Sequence, residues 1–183
     1  WAYQAPDSFQ TLIDRLVEAT IAHLAAQVAA GAEVLQLFDS WAGVLPEAAF
    51  RRWVIEPTAA IVAGLRARGV TVPIIGFPRA AGFLYADYAR HSRVDAISLD
   101  PTVPLEAIRA LPPALAVQGA LDPVLLLAGG APMIGAAHDV LSGLVDRSHV
   151  FNLGHGVLPD TPPEHVAALV AAVKAWRRPA AKA

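Results

Sequence analysis

The run Val34-Leu35-Gln36-Leu37-Phe38-Asp39-Ser40 decides the fold. It is apolar, too short for a stable helix, and breaks off at two polar residues, which is the signature of a buried strand. Upstream, Phe9, Leu12, Ile13, Leu16, Val17, Thr20, Ile21, Leu24 and Val28 recur at helical spacing. Asp7 and Gln10 have the form of a capping box before that helix, and Gly31 stops it. Downstream, a second helix is expected from about Pro46 to Arg68, closed by Gly69 and broken or restarted at Pro57.

The alternation continues to the end of the chain. Val72 to Phe77 reads as a strand and is followed by a helix around Phe83 to Arg90. Ala96-Ile97-Ser98-Leu99 ends at Asp100 and leads to a short helix near Leu105 to Ala110. Leu115 to Gly119 ends at Leu121-Asp122-Pro123 and precedes a glycine-interrupted helical region reaching about Val145. His149 to Leu153 is the last strand. The final helix is expected to open on a capping box from Thr161 to Glu164, with Pro162 at its first position. Its buried stripe is Val166, Leu169, Val170, Val173 and Trp176. Five strands, each an apolar run followed by a helix, indicate a parallel α/β sheet covered on both faces. The tail from Arg178 to Ala183 is expected to fray. No linker or low-complexity block divides residues 1–183.

Composition narrows the function classes. At 183 residues, 55% of them hydrophobic, the chain is long enough for one domain with a full core. A mean hydropathy of +0.46 excludes disorder for most of its length. The net charge of −2 provides no footprint for nucleic acid or an anionic membrane. Any anionic ligand must therefore be held by local donors. The stretch Val124 to Ala137 is the longest apolar one, contains Gly129-Gly130 and Pro132, and is too short to span a bilayer. There are no cysteines, which removes disulfides, thiolate nucleophiles and sulfur-ligated zinc, and suits a cytoplasmic location. The chain opens on Trp1 with no basic segment behind it, as expected of part of a longer protein.

Polar residues gather where the strands end: Asp39 and Ser40, Arg79, Asp100, Asp122, Asn152 and His155. In parallel β/α architectures the ligand site lies at the carboxyl ends of the strands. Each residue also has a plainer reading. Asp39 or Ser40 is equally suited to cap the next helix, and Asp100 and Asp122 precede prolines, an arrangement typical of turns. His155 stands between Gly154 and Gly156 in Phe151-Asn152-Leu153-Gly154-His155-Gly156-Val157-Leu158-Pro159-Asp160. Glycine on either side lets the chain turn sharply and leaves room beside the imidazole. His23, His91, His138, His149 and His165 fall within helices or open a strand, and read as structural.

No glycine-rich dinucleotide loop, phosphate-binding loop or nucleophile elbow is present, and His149 and His155 have no carboxylate or thiolate at metal-ligand spacing.

Three segments together resemble the C-terminal part of uroporphyrinogen decarboxylases. They are Ala30-Gly31-Ala32 through Gln36-Leu37-Phe38-Asp39-Ser40-Trp41-Ala42-Gly43, then Val117 to Pro123, then Phe151 to Pro159. The F-D-S-W-x-G and N-L-G-H-G patterns are specific in combination, and their order fits the family over essentially the whole chain. The resemblance implies a (β/α)8 TIM barrel, of which residues 1–183 would be the C-terminal portion of about five β/α units, with the N-terminal strands missing. It also implies a homodimer that removes carbon dioxide from the four acetate side chains of uroporphyrinogen, giving coproporphyrinogen for haem and related tetrapyrroles, without metal or organic cofactor.

The resemblance further assigns Ser40 and His155 to carboxylates of this tetrapyrrole substrate. Arg79 stands where the family usually has lysine-glycine, so a cation is kept at the rim as a third candidate contact, with Asp39 beside Ser40 as a fourth. Ala120 replaces a usual asparagine, and Pro101 a usual tryptophan. The family's R-Q-A-G-R motif, the aspartate that holds the pyrrole nitrogens and a tyrosine from mid-barrel have no counterpart in these residues, so no catalytic residue is assigned. These 183 residues alone are expected to be inactive. The alternatives are a cobalamin-linked methyltransferase of the same superfamily, against which the lack of cysteine argues, a non-enzymatic barrel fragment, and an unrelated barrel lyase acting on a small acidic substrate.

Overall fold

The computed structural model describes residues 1–178, so the tail expected to fray lies, beyond Arg178, outside the described residues. The chain divides into two compact units, Trp1–Ile97 and a second beginning at Ser98.

The first unit runs α1 (Pro6–Ala29), β1 (Leu35–Asp39), α2 (Glu47–Phe50), a π-helical turn (Arg51–Ile55), α3 (Glu56–Ala67), β2 (Ile74–Pro78), α4 (Tyr85–His91) and β3 (Ala96–Ser98). β1 pairs in parallel with β2, from Leu35 opposite Ile74 to Asp39 opposite Pro78, and β2 pairs in parallel with β3. Pro57 restarts the helix as expected: lacking an N–H, it sits in the first turn of α3, directly after the wider π turn. α1 lies close on α3 because Gly64 has no side chain, and Ile21 Cδ1 fills the place a Cβ there would take. Arg66 clamps the far end of α3 to the sheet. Its guanidinium donates to the carbonyls of Val70 and Val72, 2.9 Å each, and pairs with Asp95, which also accepts the Ile74 N–H at 2.7 Å.

The second unit contains α5 (Leu105–Arg109), β4 (Ala116–Leu121), α6 (Pro123–Ala128), α7 (Gly130–Gly143), β5 (His149–Leu153) and α8 (Pro163–Ala175). The residue after β3, Leu99, donates its N–H to Gln118 in β4 at 2.9 Å. β4 pairs in parallel with β5 from Val117 opposite His149 to Leu121 opposite Leu153. Its core is Leu121, Leu126, Met133, Ala137 and Leu169, joined by Phe151, Leu153, Val166 and Val173. Each such aliphatic side chain contributes roughly 1.5–3 kcal/mol when fully buried. In both units a strand's neighbour is the next strand in sequence, with a helical crossover between them. The fold is α/β with parallel strands, consistent with part of a TIM barrel.

Several local expectations are corrected. Neither capping box forms: α1 is preceded by Ala5 and α8 by Pro162, without a side-chain cap in either case. Pro6 and Pro163, each pre-set to helical φ, take the first turn and leave Asp7 and Thr161 out of the capping position. β4 continues two residues past Gly119, and Asp122 is not a simple turn residue but the cap of α6, accepting the Val124 N–H at 2.8 Å. The long helical region is two helices, parted where Gly129 adopts φ +69°. Val170 is exposed instead of buried.

Burial on both faces holds for β2 and β3 but not for the first and last strands, β1 and β5. In β5, Phe151 and Leu153 pack toward the helices while Val150 and Asn152 are exposed, and in β1 Phe38 is exposed. Successive residues point to opposite faces, so one face of these strands lacks packing among the described residues.

Candidate functional site

In the first unit the loops after β1 and β2 are built on each other. Arg79 donates its N–H to the Asp39 carbonyl, and Gly43 returns one to the Arg79 carbonyl, both at 3.0 Å. A Cβ on Gly43 would lie 2.1 Å from the Ala80 carbonyl oxygen, so only glycine lets the β1 loop come this near. Ser40 and Arg79 are thereby held at adjacent strand ends, Ser40 exposed and Arg79 half-buried. The Arg79 guanidinium makes no ion pair among the described residues.

Asp39 faces the helix layer. Its carboxylate accepts the Trp41 N–H at 3.3 Å, shaping the turn that carries Ser40, whereas the helices that follow, Ala42–Val44 and α2, carry no side-chain cap. Asp39 also lines a cavity of about 250 Å³ with Thr58, Tyr88 and apolar residues of α1 and α3. Burial raises its pKa above the usual carboxylate value, against the opposing pull of the Trp41 and Ala42 N–H groups. The buried Tyr88 phenol is pushed up to about 12 by burial, despite its bond to Thr58, and the Asp39 charge adds to the rise. Neither Thr58 nor Tyr88 stood out in the sequence, because both sit inside helical patterns and meet Asp39 only through tertiary packing.

In the second unit the loop after β5 rests on the loop after β3. Gly154 continues the ladder by donating to the Leu121 carbonyl at 2.8 Å. A Cβ on Gly154 would lie 2.4 Å from Pro101 Cδ and 2.5 Å from Pro101 N. Asp100, buried beneath, accepts the N–H of Thr102 at 3.0 Å and its hydroxyl as well. His155 projects from this support and is exposed, and the Gly156 N–H is donated to its Nδ1. In the neutral ring that bond puts the proton on Nε2, directed outward as a donor.

Three of the remaining histidines are engaged by the fold. His149 Nε2 bonds the Gly119 carbonyl at 2.6 Å, and burial lowers its pKa, favouring the neutral ring. His165 Nδ1 meets the Leu126 and Leu127 carbonyls, and its ring covers Gly129. His91 Nδ1 lies 2.9 Å from the Asp87 carbonyl. Among the described residues no group of three or more histidine, cysteine or acidic residues could hold a metal ion, and no helix is long and apolar enough to cross a membrane.

A family model described as "Uroporphyrinogen decarboxylase (URO-D)" matches residues 1–176. The uroporphyrinogen decarboxylase of Granulibacter bethesdensis is 50% identical over 171 residues, covering 93% of this chain and 50% of that protein. Those of Rhodospirillum rubrum and Novosphingobium aromaticivorans are 48% and 50% identical over 178 residues, covering 97% of this chain and 51% and 52% of theirs. The chain spans about half the length of the curated relatives it matches. With the family model covering nearly every described residue, the chain belongs to the uroporphyrinogen decarboxylase family.

Proposed function

We propose that these residues form the C-terminal half of a cytoplasmic, homodimeric uroporphyrinogen decarboxylase that converts the four acetate side chains of uroporphyrinogen to methyl groups. The observation that carries this reading is the family match over residues 1–176. Its chemical support is that the free side-chain groups at the strand ends are donors suited to carboxylates: the Ser40 hydroxyl and Arg79 guanidinium in the first unit, and the His155 Nε2–H in the second.

Loss of carbon dioxide from a pyrrole acetate requires protonation of the ring, then stabilisation of the cation until the carbon–carbon bond breaks. Ser40, Arg79 and His155 bind and orient carboxylates; none is a buried acid placed to deliver that proton. Asp39 acts one step back, by holding the turn under Ser40. The proton donor and the groups that stabilise the cation are therefore assigned to the N-terminal half of the enzyme.

The test is a coproporphyrinogen-formation assay. The intact enzyme is expected to form coproporphyrinogen, and the 183 residues expressed alone are expected to form none. In the intact enzyme Arg79→Ala is expected to raise the KM about tenfold, the scale of one charge-assisted hydrogen bond. An intact enzyme without activity would refute the function, and an unchanged KM would remove Arg79 from the site.

A further inference from the structure

Asn152 and His155 share a feature that the sequence does not reveal. Each side chain has its acceptor atom occupied by the backbone N–H of the following residue. Leu153 N–H is donated to Asn152 Oδ1 at 2.8 Å, and Gly156 N–H to His155 Nδ1. An amide whose oxygen is held in this way is fixed in orientation, and its NH2 group, with two donors, is what remains to meet a ligand.

The surroundings leave that NH2 open. Asn152 is exposed, on the face of β5 opposite the packed Phe151 and Leu153. The residue beside it on β4, in register, is Ala120, whose methyl group offers no hydrogen bond. One rung earlier on the same face the corresponding amide is already engaged: Gln118, opposite Val150, donates its NH2 to the Ser98 hydroxyl at 3.1 Å and is buried. Asn152 is therefore the amide of this face that ends in the open, at the carboxyl end of its strand and three residues before His155.

We infer that Asn152 is a further substrate-contacting residue, donating its Nδ2–H to a carboxylate of the tetrapyrrole beside the one met by His155. This rests on the proposed decarboxylase function. A side chain presenting only donors favours a carboxylate over a neutral or cationic group, so Asn152 selects for acidic ring substituents. Acetate and propionate substituents have the same terminal group, so either can be the one held.

The deciding variant is Asn152→Asp in the intact enzyme. It keeps the size of the side chain and an oxygen for the Leu153 N–H, so a purely structural role survives it. It removes both outward donors and sets a negative charge against the substrate carboxylate. The KM for uroporphyrinogen is expected to rise at least about tenfold, the loss of one hydrogen bond to a charged group, with kcat changed less than about threefold and the melting temperature held. Asn152→Ala, which removes the donors without adding charge, is expected to raise the KM by a smaller factor. An unchanged KM in Asn152→Asp overturns the inference, as does a fall in melting temperature with the KM unchanged. Wild-type activity is measured first: an inactive wild type overturns the function and this inference with it, whereas an active wild type indifferent to Asn152→Asp overturns this inference alone.

Discussion

Gly154→Ala is expected to lower kcat/KM for uroporphyrinogen about a hundredfold in the intact enzyme, the scale of a misplacement of about 1 Å at a reacting centre. The new methyl would stand 2.4 Å from Pro101 Cδ, 2.5 Å from Pro101 N and 2.9 Å from the Asp100 carbonyl carbon. Two of those three atoms are backbone, and the third belongs to a proline ring, so no flexible side chain can swing aside. The β5 loop must lift instead, and with it His155, whose support is this contact together with the Gly154–Leu121 hydrogen bond. Overpacking of this kind costs about 1–3 kcal/mol of stability, so the protein should still fold and the loss should appear in the kinetics. Steady-state kinetics with a parallel melting curve check it. Activity within threefold of wild type would mean that the position of His155 does not matter to the reaction.

The largest expected loss of stability lies away from the strand ends. Arg147 reaches across the second unit, and its two terminal nitrogens donate to the carbonyls of Leu111 at 2.9 Å, Pro112 at 2.9 Å and Leu115 at 2.8 Å, with a longer bond of 3.4 Å to Arg109. These carbonyls belong to the segment between α5 and β4, where Pro112 and Pro113 prevent a regular ladder. One guanidinium thus meets three carbonyls of this connection and that of Arg109, the last residue of α5. Arg147→Met keeps the length of the stem and removes all the donors. It is expected to cost about 3 kcal/mol, because several partly buried acceptors lose a charged partner at once. Thermal or denaturant unfolding measures it; a change under 1 kcal/mol would mean that water replaces the guanidinium at little cost.

Much of the fold was legible in advance because its signal is local. The apolar run from Val34 to Phe38 and its four successors marked the strands, since each is short and closed by a polar, glycine or proline residue. Pro57 marked the helix restart for the same reason: a missing N–H acts where it stands. The boundaries failed where two local signals competed. At α1 and α8 the first turn is taken by Pro6 and Pro163, one residue before Asp7 and two after Thr161, so neither capping box forms. Asp122 reads in sequence as a turn residue before Pro123, but its carboxylate accepts the Val124 N–H and caps α6.

Of the candidate site, the sequence by itself determined which residue types stand at the strand ends, and so the donor chemistry of Ser40, Arg79 and His155. Strand periodicity and chain order are enough for that, because the residues that follow each strand lie at its carboxyl end. Only the tertiary structure decided how those residues are held. It set Gly43 against Ala80 and Gly154 against Pro101, turned Asp39 toward Thr58 and Tyr88, and occupied the acceptor atoms of Asn152 and His155. Contacts of this kind join residues far apart in sequence, or depend on the path of the backbone to within an ångström, and no pattern of residue types records them.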